Sequence, residues 1–525
     1  MRSRTSSVTR PILALVLALM LLTIAARVIP GARTIDDAFI TFRYSRNIVE
    51  GYGFVYNPGV QTLGTTTPLY TLLMAVISAV TGSQSFPQFA LVVNALADAV
   101  TVALLYLLMR RLTGSDWLGV VPGLLYALAP HSVTFAIGGM ETSVVILWMV
   151  AATWVFLTQP GGAQRADMLL GVLVALGLLT RVDSALWVAP LLLFQLGGRW
   201  LAGEGKTLIA RLPLRTWVAA GLVLLPWMIF STLYFGSPLP NSLSAKSVAY
   251  EIGEGAALVR LIQHYALPFN ESDFFTPFFF ALGIIYAAMT FVCMAYARKH
   301  MSRLLPFLIY PWLYFAAFAI ANPLIFRWYL APPVPALMFG IIGGIWVLAR
   351  PLQQARLRWG MPLLFGTLTI VWTATTLRTW TLNPDHGPNR PAPDMAWHAI
   401  ELSYEQMANI LVSEYGVTPQ TRVASADIGA IGYFTRAIII DTVGLVTPEL
   451  SRYYPFDATL VVEGQNYVIP PQLIYDTAPQ YLVTMEAFVR LGLASQPEFE
   501  TQYRLLEMLP FEFYGEGMLL FGRVN

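Results

Sequence analysis

Thr67-Pro-Leu-Tyr-Thr-Leu-Leu-Met-Ala-Val-Ile-Ser-Ala-Val-Thr-Gly82 is the stretch on which the fold turns. It reads as a helix: Thr67 is a good cap, and Pro68 suits a first helical position because its missing N–H has no partner there anyway. The apolar part covers only about 21 Å at 1.5 Å per residue, against a hydrocarbon core of about 30 Å. Whether it crosses decides the side on which every later connection lies.

Around it lie apolar runs of spanning length, at about 11–29, 88–109, 116–136, 142–158, 166–181, 184–198, 216–236, 276–297, 304–321, 331–349 and 361–378. Taken as a re-entrant or juxtamembrane helix, with the amino terminus cytoplasmic, 67–82 leaves all the basic connections inside. These are Arg110 and Arg111, Arg165, Arg199 to Arg215, Arg298 to Arg303, and Arg350 to Arg358. That satisfies the positive-inside rule, whereas a twelfth span would turn all of them outward. The expected fold is therefore a polytopic α-helical membrane protein. Residues 1–378 form eleven transmembrane helices, with a first external loop at about 30–87, and 379–525 form a soluble extracytoplasmic α/β domain.

Composition agrees. With 56% hydrophobic and 12% charged residues and a mean hydropathy of +0.60, the chain is no ordinary soluble protein. The first apolar run is longer than a signal-peptide core and reads as an uncleaved span. Cys293 is the only cysteine, which excludes an intrachain disulfide, and no basic patch points to nucleic acid. In 379–525, a helical stretch near 394–415 precedes strand-like runs at 421–426, 437–441 and 480–484, with more β-like sequence at the end. The glycines of 425–434 lack the full dinucleotide fingerprint. With no acid–base–nucleophile set, this domain is expected to bind or orient a substrate rather than perform chemistry.

The outward side collects the residues that composition does not explain: Asp36, Asp37, Glu141, Arg181, Asp183, Asn241, Lys246 and Arg327. Helix capping accounts for one acid of the adjacent pair and leaves the other over. A carboxylate at a membrane face can serve as general base, a role worth about 10²–10⁴ in rate. Neighbours on a helix point about 100° apart, so the partner acid would orient the acceptor or hold a divalent metal. Lys246 and Arg327 are candidates for a lipid phosphate, with snorkelling at span ends as the bland alternative. Asn94 and Asp98 share a helix face and read as helix-to-helix hydrogen bonding. His131 and His264 stand alone in the sequence, without zinc-ligand spacing.

Asp36-Asp37-Ala38-Phe39-Ile40 with Arg43-Tyr44, Gly51-Tyr-Gly-Phe-Val-Tyr-Asn-Pro-Gly59 and Thr67-Pro68-Leu69-Tyr70 resemble the first external loop of the GT-C glycosyltransferases. The likeness is above all to the arabinofuranosyltransferase group of the mycobacterial cell wall, and more distantly to protein O-mannosyltransferases. Gly139-Met140-Glu141-Thr142, Thr180-Arg181, Pro238-Leu-Pro-Asn241 with Lys246, and Phe326-Arg327 with Tyr329 follow in the same order. Asp427-Ile-Gly-Ala-Ile-Gly432 and Asp441-Thr-Val-Gly-Leu445 are similar to the start of that group's external domain. Where the family often has Arg-Pro, this chain has Arg181-Val182-Asp183.

The resemblance implies an inverting membrane glycosyltransferase of the cell envelope. It would move a sugar from a polyprenyl-phosphate donor to a hydroxyl of a glycan, lipid or protein, on the outer face of the plasma membrane. Asp36 would be the base with Asp37 in support; Lys246, Arg327 and Arg181 would hold the donor phosphate. Arg43, Tyr44, Asn57, Glu141, Asn241 and Tyr329 would contact substrate. No cofactor is demanded, and a divalent metal at the Asp pair stays open. A transporter or flippase of lipid-linked sugars is the alternative; it would show paired interrupted helices in two halves with acids at mid-membrane.

The topology is directly testable. In a background lacking Cys293, a cysteine at Ser83 should react with an impermeant thiol reagent from outside and one at Gln353 should not. The reverse pattern, with Gln353 labelled and Ser83 protected, would mean that 67–82 crosses the membrane.

Overall fold

The computed structural model describes residues 10–158, 163–201, 207–269, 276–354, 359–383, 389–396, 399–511 and 514–524. Parts of two basic connections, 202–206 and 355–358, fall outside the described residues. The chain forms two compact units: Met1–Arg33, Pro87–Leu225 and Gly255–Trp397 make the first, and Thr34–Phe86, Pro226–Glu254 and His398–Asn525 the second.

Each of the eleven expected spans coincides with helix. Among the described residues, seven helices are long and apolar enough to cross a membrane: Pro11–Val28, Phe86–Thr113, Leu214–Phe235, Pro277–His300, Ser302–Ala321, Arg327–Leu352 and Gly360–Arg378. Asp116–Leu128 and Pro130–Ile137 form an eighth only if their 49° bend is counted within one span. The bend follows from Pro130, which pushes Ala129 out of the helical region to φ −58°, ψ 132°. Thr142–Thr158, Gln164–Thr180 and Ala185–Leu201 have 17 residues each, about 26 Å of helix, so length alone does not bring the count to eleven.

In the first unit, close packing is made by small residues, as expected where lipid supplies no hydrophobic drive between helices. A Cβ on Gly344 would meet the Met289 carbonyl oxygen at 1.9 Å, and one on Gly343 would meet the Cys293 sulfur at 2.6 Å. Those glycines let the helices of 277–300 and 334–354 touch backbone to backbone. Asp98 is fully buried and accepts from Arg27 Nε at 3.0 Å and from Tyr126 and Ser143 hydroxyls at 3.1 Å. Arg27 also donates to the Ala127 carbonyl and the Ser132 hydroxyl, which packs the first helix into this unit. Asn94 donates to the carbonyls of Ala136 and Met140 at 3.0 and 2.8 Å, the helix-to-helix role expected of it. Strands β1 (Trp380–Asn383) and β2 (Arg390–Pro393) pair as an antiparallel hairpin here.

The second unit holds a five-stranded sheet of β3 (Arg422–Ser425), β4 (Ile438–Asp441), β5 (Tyr481–Met485), β6 (Tyr503–Pro510) and β7 (Gly517–Arg523), in the order β4-β3-β5-β7-β6. β3 lies parallel to β4 and β5, and β7 runs antiparallel to β5 and β6. The expected helix and strands are therefore present. The domain boundary is not the expected one, because 34–86 and 226–254 fold with 398–525 and 380–396 folds with the helices. Pro68–Thr81 belongs to this unit; its 14 residues end at Gly82 in the left-handed conformation (φ 66°) that stops helices.

Replacing Asp98 by Asn should destabilise the protein by about 3–5 kcal/mol, because Arg27 would be left buried without its counter-charge. Arg27→Met with Asp98→Leu leaves no charge uncompensated and should recover most of that loss. Unfolding in detergent micelles measures both.

Candidate functional site

The helix Asp36–Val49 begins on its two acids, and Ile35 before it offers no side-chain cap. Asp36 caps a different helix. Its carboxylate accepts from the amides of Gly429 (2.9 Å) and Ala430 (2.8 Å), which open the helix Gly429–Thr435 after β3. The approach needs glycine: a Cβ on Gly429 would lie 1.8 Å from the Asp36 carbonyl oxygen. Gly432 is constrained likewise, with the Tyr56 hydroxyl 1.9 Å from where its Cβ would stand. The glycines of 425–434 thus serve backbone contact.

Asp37, one residue on, faces Lys246 Nζ at 3.2 Å, with side chains 27% and 20% exposed. Lys246 is carried by the helix Ser242–Ala249. A third carboxylate, Asp427, comes from the turn after β3 and accepts from the Tyr404 hydroxyl on the helix Ala399–Ser413. Desolvation raises Asp36 well above the ordinary carboxylate range, and the charges of Asp427 and Asp37 add to it, against the lowering pull of the two amides. Asp427 is also raised, mainly by desolvation, with Asp37 adding and Tyr404 and Lys246 opposing. Among the described residues, no three His, Cys, Asp or Glu side chains are grouped to hold a metal ion.

Four of the expected substrate contacts turn out to be framework. Arg43 is buried over the Tyr56 ring (4.2 Å) and donates to the carbonyls of Tyr56 (2.9 Å), Gly432 (2.7 Å) and Ala437 (2.6 Å) and to Asn57 Oδ1 (3.1 Å). Asn57 exchanges two hydrogen bonds with Ile439, so its amide pairs with edge strand β4 as a backbone would. Tyr44 bridges the Thr62 carbonyl and the Gly64 amide, and Asn241 donates to the carbonyls of Gly444 and Leu445. Most of their donors are engaged by backbone carbonyls of their own unit. The Tyr433 ring packs against Phe39, Phe42, Phe86 and Phe434.

The remaining candidates lie in the first unit. Arg181 is extended (φ −153°, ψ 135°) between two helices and donates to Glu141 (2.7 Å) and in a fork to Asp183 (2.9 and 2.8 Å). Two carboxylates already neutralise it, which leaves Glu141 as its partner and makes Arg181 a poor phosphate receptor. Asp183, two residues on, supplies the fork. The Tyr329 ring faces the same guanidinium at 5.2 Å, and Arg327 is exposed at the head of its turn. His131 and His264, isolated in the sequence, stand with ring centroids 4.6 Å apart. Sequence spacing carries no signal for that pair, since 132 positions intervene.

Comparison with known proteins adds the following. Residues 65–230 match the family model described as dolichyl-phosphate-mannose-protein mannosyltransferase, and 394–521 match a domain of unknown function (DUF8728). A terminal β-(1→2)-arabinofuranosyltransferase of Mycobacterium tuberculosis is 28% identical over 236 residues, 41% of this chain and 35% of that protein. The match thus spans about a third of the relative's length. The Archaeoglobus fulgidus oligosaccharyltransferase AglB, solved with an inhibitory peptide and a dolichol-phosphate, superposes with a TM-score of 0.56 at 12% identity, covering 98% of this chain and 74% of AglB. ArnT from Cupriavidus metallidurans, solved with undecaprenyl phosphate, gives 0.53 at 14% identity, covering 98% of both chains. At these identities the likeness to the solved structures is one of fold.

The buried carboxylate of Asp441 gives a pH test of the second unit. It accepts from Val443 (2.9 Å) and Val446 (3.0 Å), and burial pushes it up to about 6. Unfolded, it titrates near the ordinary value of about 3.9, so between the two values the folded state binds more protons. Its contribution to stability is therefore full below about pH 4, declines as pH rises to about 6, and is flat above. Asp441→Asn should remove that slope from the melting temperature plotted against pH; parallel curves for the two proteins would refute the assignment.

Proposed function

We propose that the chain is an integral membrane glycosyltransferase of the GT-C type, which transfers a sugar from a polyprenyl-phosphate donor to an acceptor hydroxyl at the outer face of the membrane; the partial family match, the arabinofuranosyltransferase relative and the likeness of fold support this reading. The observation that carries this reading is the Asp36–Asp37–Lys246 group in the second unit. One acid is fixed in place by two amides and raised in basicity, and the next is held against a cation. A base is most effective when its pKa lies near the working pH, and a carboxylate at its ordinary value of about 4 is too weak for that.

In the proposed step the acceptor oxygen forms a bond to the anomeric carbon from the side opposite the leaving group. The carbon–oxygen bond to the lipid phosphate breaks, and its electron pair departs with the phosphate. The acceptor proton passes to Asp36. Asp37 holds Lys246, which places a cation beside the acids where the departing phosphate would carry its negative charge. The anomeric centre is inverted, and no nucleotide is consumed because the lipid already carries the activated sugar. Arg327, exposed in the first unit, is the cation there that a lipid phosphate would meet. The eleven-span topology, with a cytoplasmic amino terminus and residues 379–525 outside, belongs to the same proposal. It rests on the basic connections and on the coincidence of each expected span with helix. No observation favours moving a lipid-linked sugar unchanged.

The purified protein should transfer sugar from a member of a panel of polyprenyl-phosphate sugars, arabinofuranosyl and mannosyl donors first, to glycan, lipid or peptide hydroxyls. Asp36→Asn should lower the rate about 10²–10⁴-fold while donor binding survives. A folded Asp36→Asn protein working at the wild-type rate would remove Asp36 from the role of base.

A further inference from the structure

The Asp36 carboxylate presents a physical difficulty that its surroundings resolve. Two backbone amides donating to one carboxylate stabilise its charged form and so weaken it as a base. Both amides come from the turn Asp427–Ala430, the segment that also carries a carboxylate of its own. That turn is held firmly. Ser425, fully buried at the end of β3, donates to the Asp427 carbonyl at 2.8 Å; the Tyr56 hydroxyl donates to the Ile428 carbonyl at 2.5 Å; Tyr404 holds the Asp427 side chain.

We infer that Asp427 is a positioning residue for the proton-accepting step, through which the 398–525 segment sets both the orientation and the basicity of Asp36. The inference rests on the reading of Asp36 as base. It gives the segment matched to a domain of unknown function a part in the proton transfer itself, beyond the binding or orienting of a substrate expected from the sequence. The amides of Gly429 and Ala430 fix the Asp36 oxygens. The negative charge of Asp427, tethered by Tyr404, offsets their lowering effect and restores affinity for the acceptor proton. The other titratable and charged groups around Asp36 and Asp427 are Asp37, Lys246 paired with it, and the hydroxyls of Tyr404 and Tyr56, with Tyr250 beside Asp427 and Asp37. Among the charges, that of Asp427 raises Asp36 most.

The test is the pH profile of transfer by the full chain in micelles, with polyprenyl-phosphate arabinofuranose and an arabinofuranosyl oligosaccharide, or whichever pair from the panel turns over. A raised base loses activity as pH falls through its pKa. Asp427→Asn should therefore move the acid limb to lower pH, because removing the neighbouring negative charge makes Asp36 easier to ionise, and leave the plateau rate within about tenfold of wild type. Tyr404→Phe, which lets Asp427 protonate more readily, should move it the same way by less. Asp427→Glu keeps the charge and should keep the limb. An unmoved limb in Asp427→Asn, or a loss uniform across pH, overturns the inference. If Asp427→Asn does not fold, the Tyr404→Phe profile decides by the same criterion. Full activity in Asp36→Asn is a separate result, which removes the base itself.

Discussion

Asp36 and the two amides it accepts from make the contact on which the arrangement of the second unit depends. The first N–H groups of any helix lack partners within it, and the helix Gly429–Thr435 finds them in a side chain from nearly four hundred residues earlier. That bond joins the start of Asp36–Val49 to the turn after β3, and the glycine at 429 exists because nothing larger fits beneath the Asp36 carbonyl. Arg43, almost two turns along the same helix, continues the join with donors to Gly432 and Ala437, and Asn57 completes it along β4. The acids that suggest chemistry are thus also structural members, so their basicity and the integrity of the sheet are set by the same few bonds.

The first unit handles charge differently. Asp98 with Arg27, and Arg181 with Glu141 and Asp183, are ion pairs enclosed among apolar helices, where an isolated charge would be strongly disfavoured. Breaking either would leave an uncompensated charge, so they define one arrangement of helices more than they add to its stability. The glycines at 340, 343 and 344 act in the same direction by allowing contact that larger residues would prevent.

A single residue type can belong to either role, and the difference is not local. Arg43, Asn57 and Asn241 sit in segments that resemble those of a glycosyltransferase, yet their donors point at carbonyls in β4 or in the turns just before and after it, far along the chain. Arg181 looks like a phosphate ligand until Glu141, forty residues earlier, occupies it. Asp427 drew attention only as part of a motif, and its place beside Asp36 follows from the close approach of Gly429.

By itself the sequence determined the helices, the strands of the carboxyl-terminal segment, the helix-to-helix role of Asn94 and Asp98, and the Asp pair as the point of chemical interest. Those follow from apolar run length, strand-like composition and the cost of placing acids at a membrane, which are properties of short stretches. Only the tertiary structure decided which segments fold together, that 34–86 and 226–254 share a unit with 398–525, and which polar side chains are framework. The reason is that a buried donor must find an acceptor, and among folded chains that acceptor is as readily a distant backbone carbonyl as a substrate atom. Periodicity along the chain carries no record of such pairings.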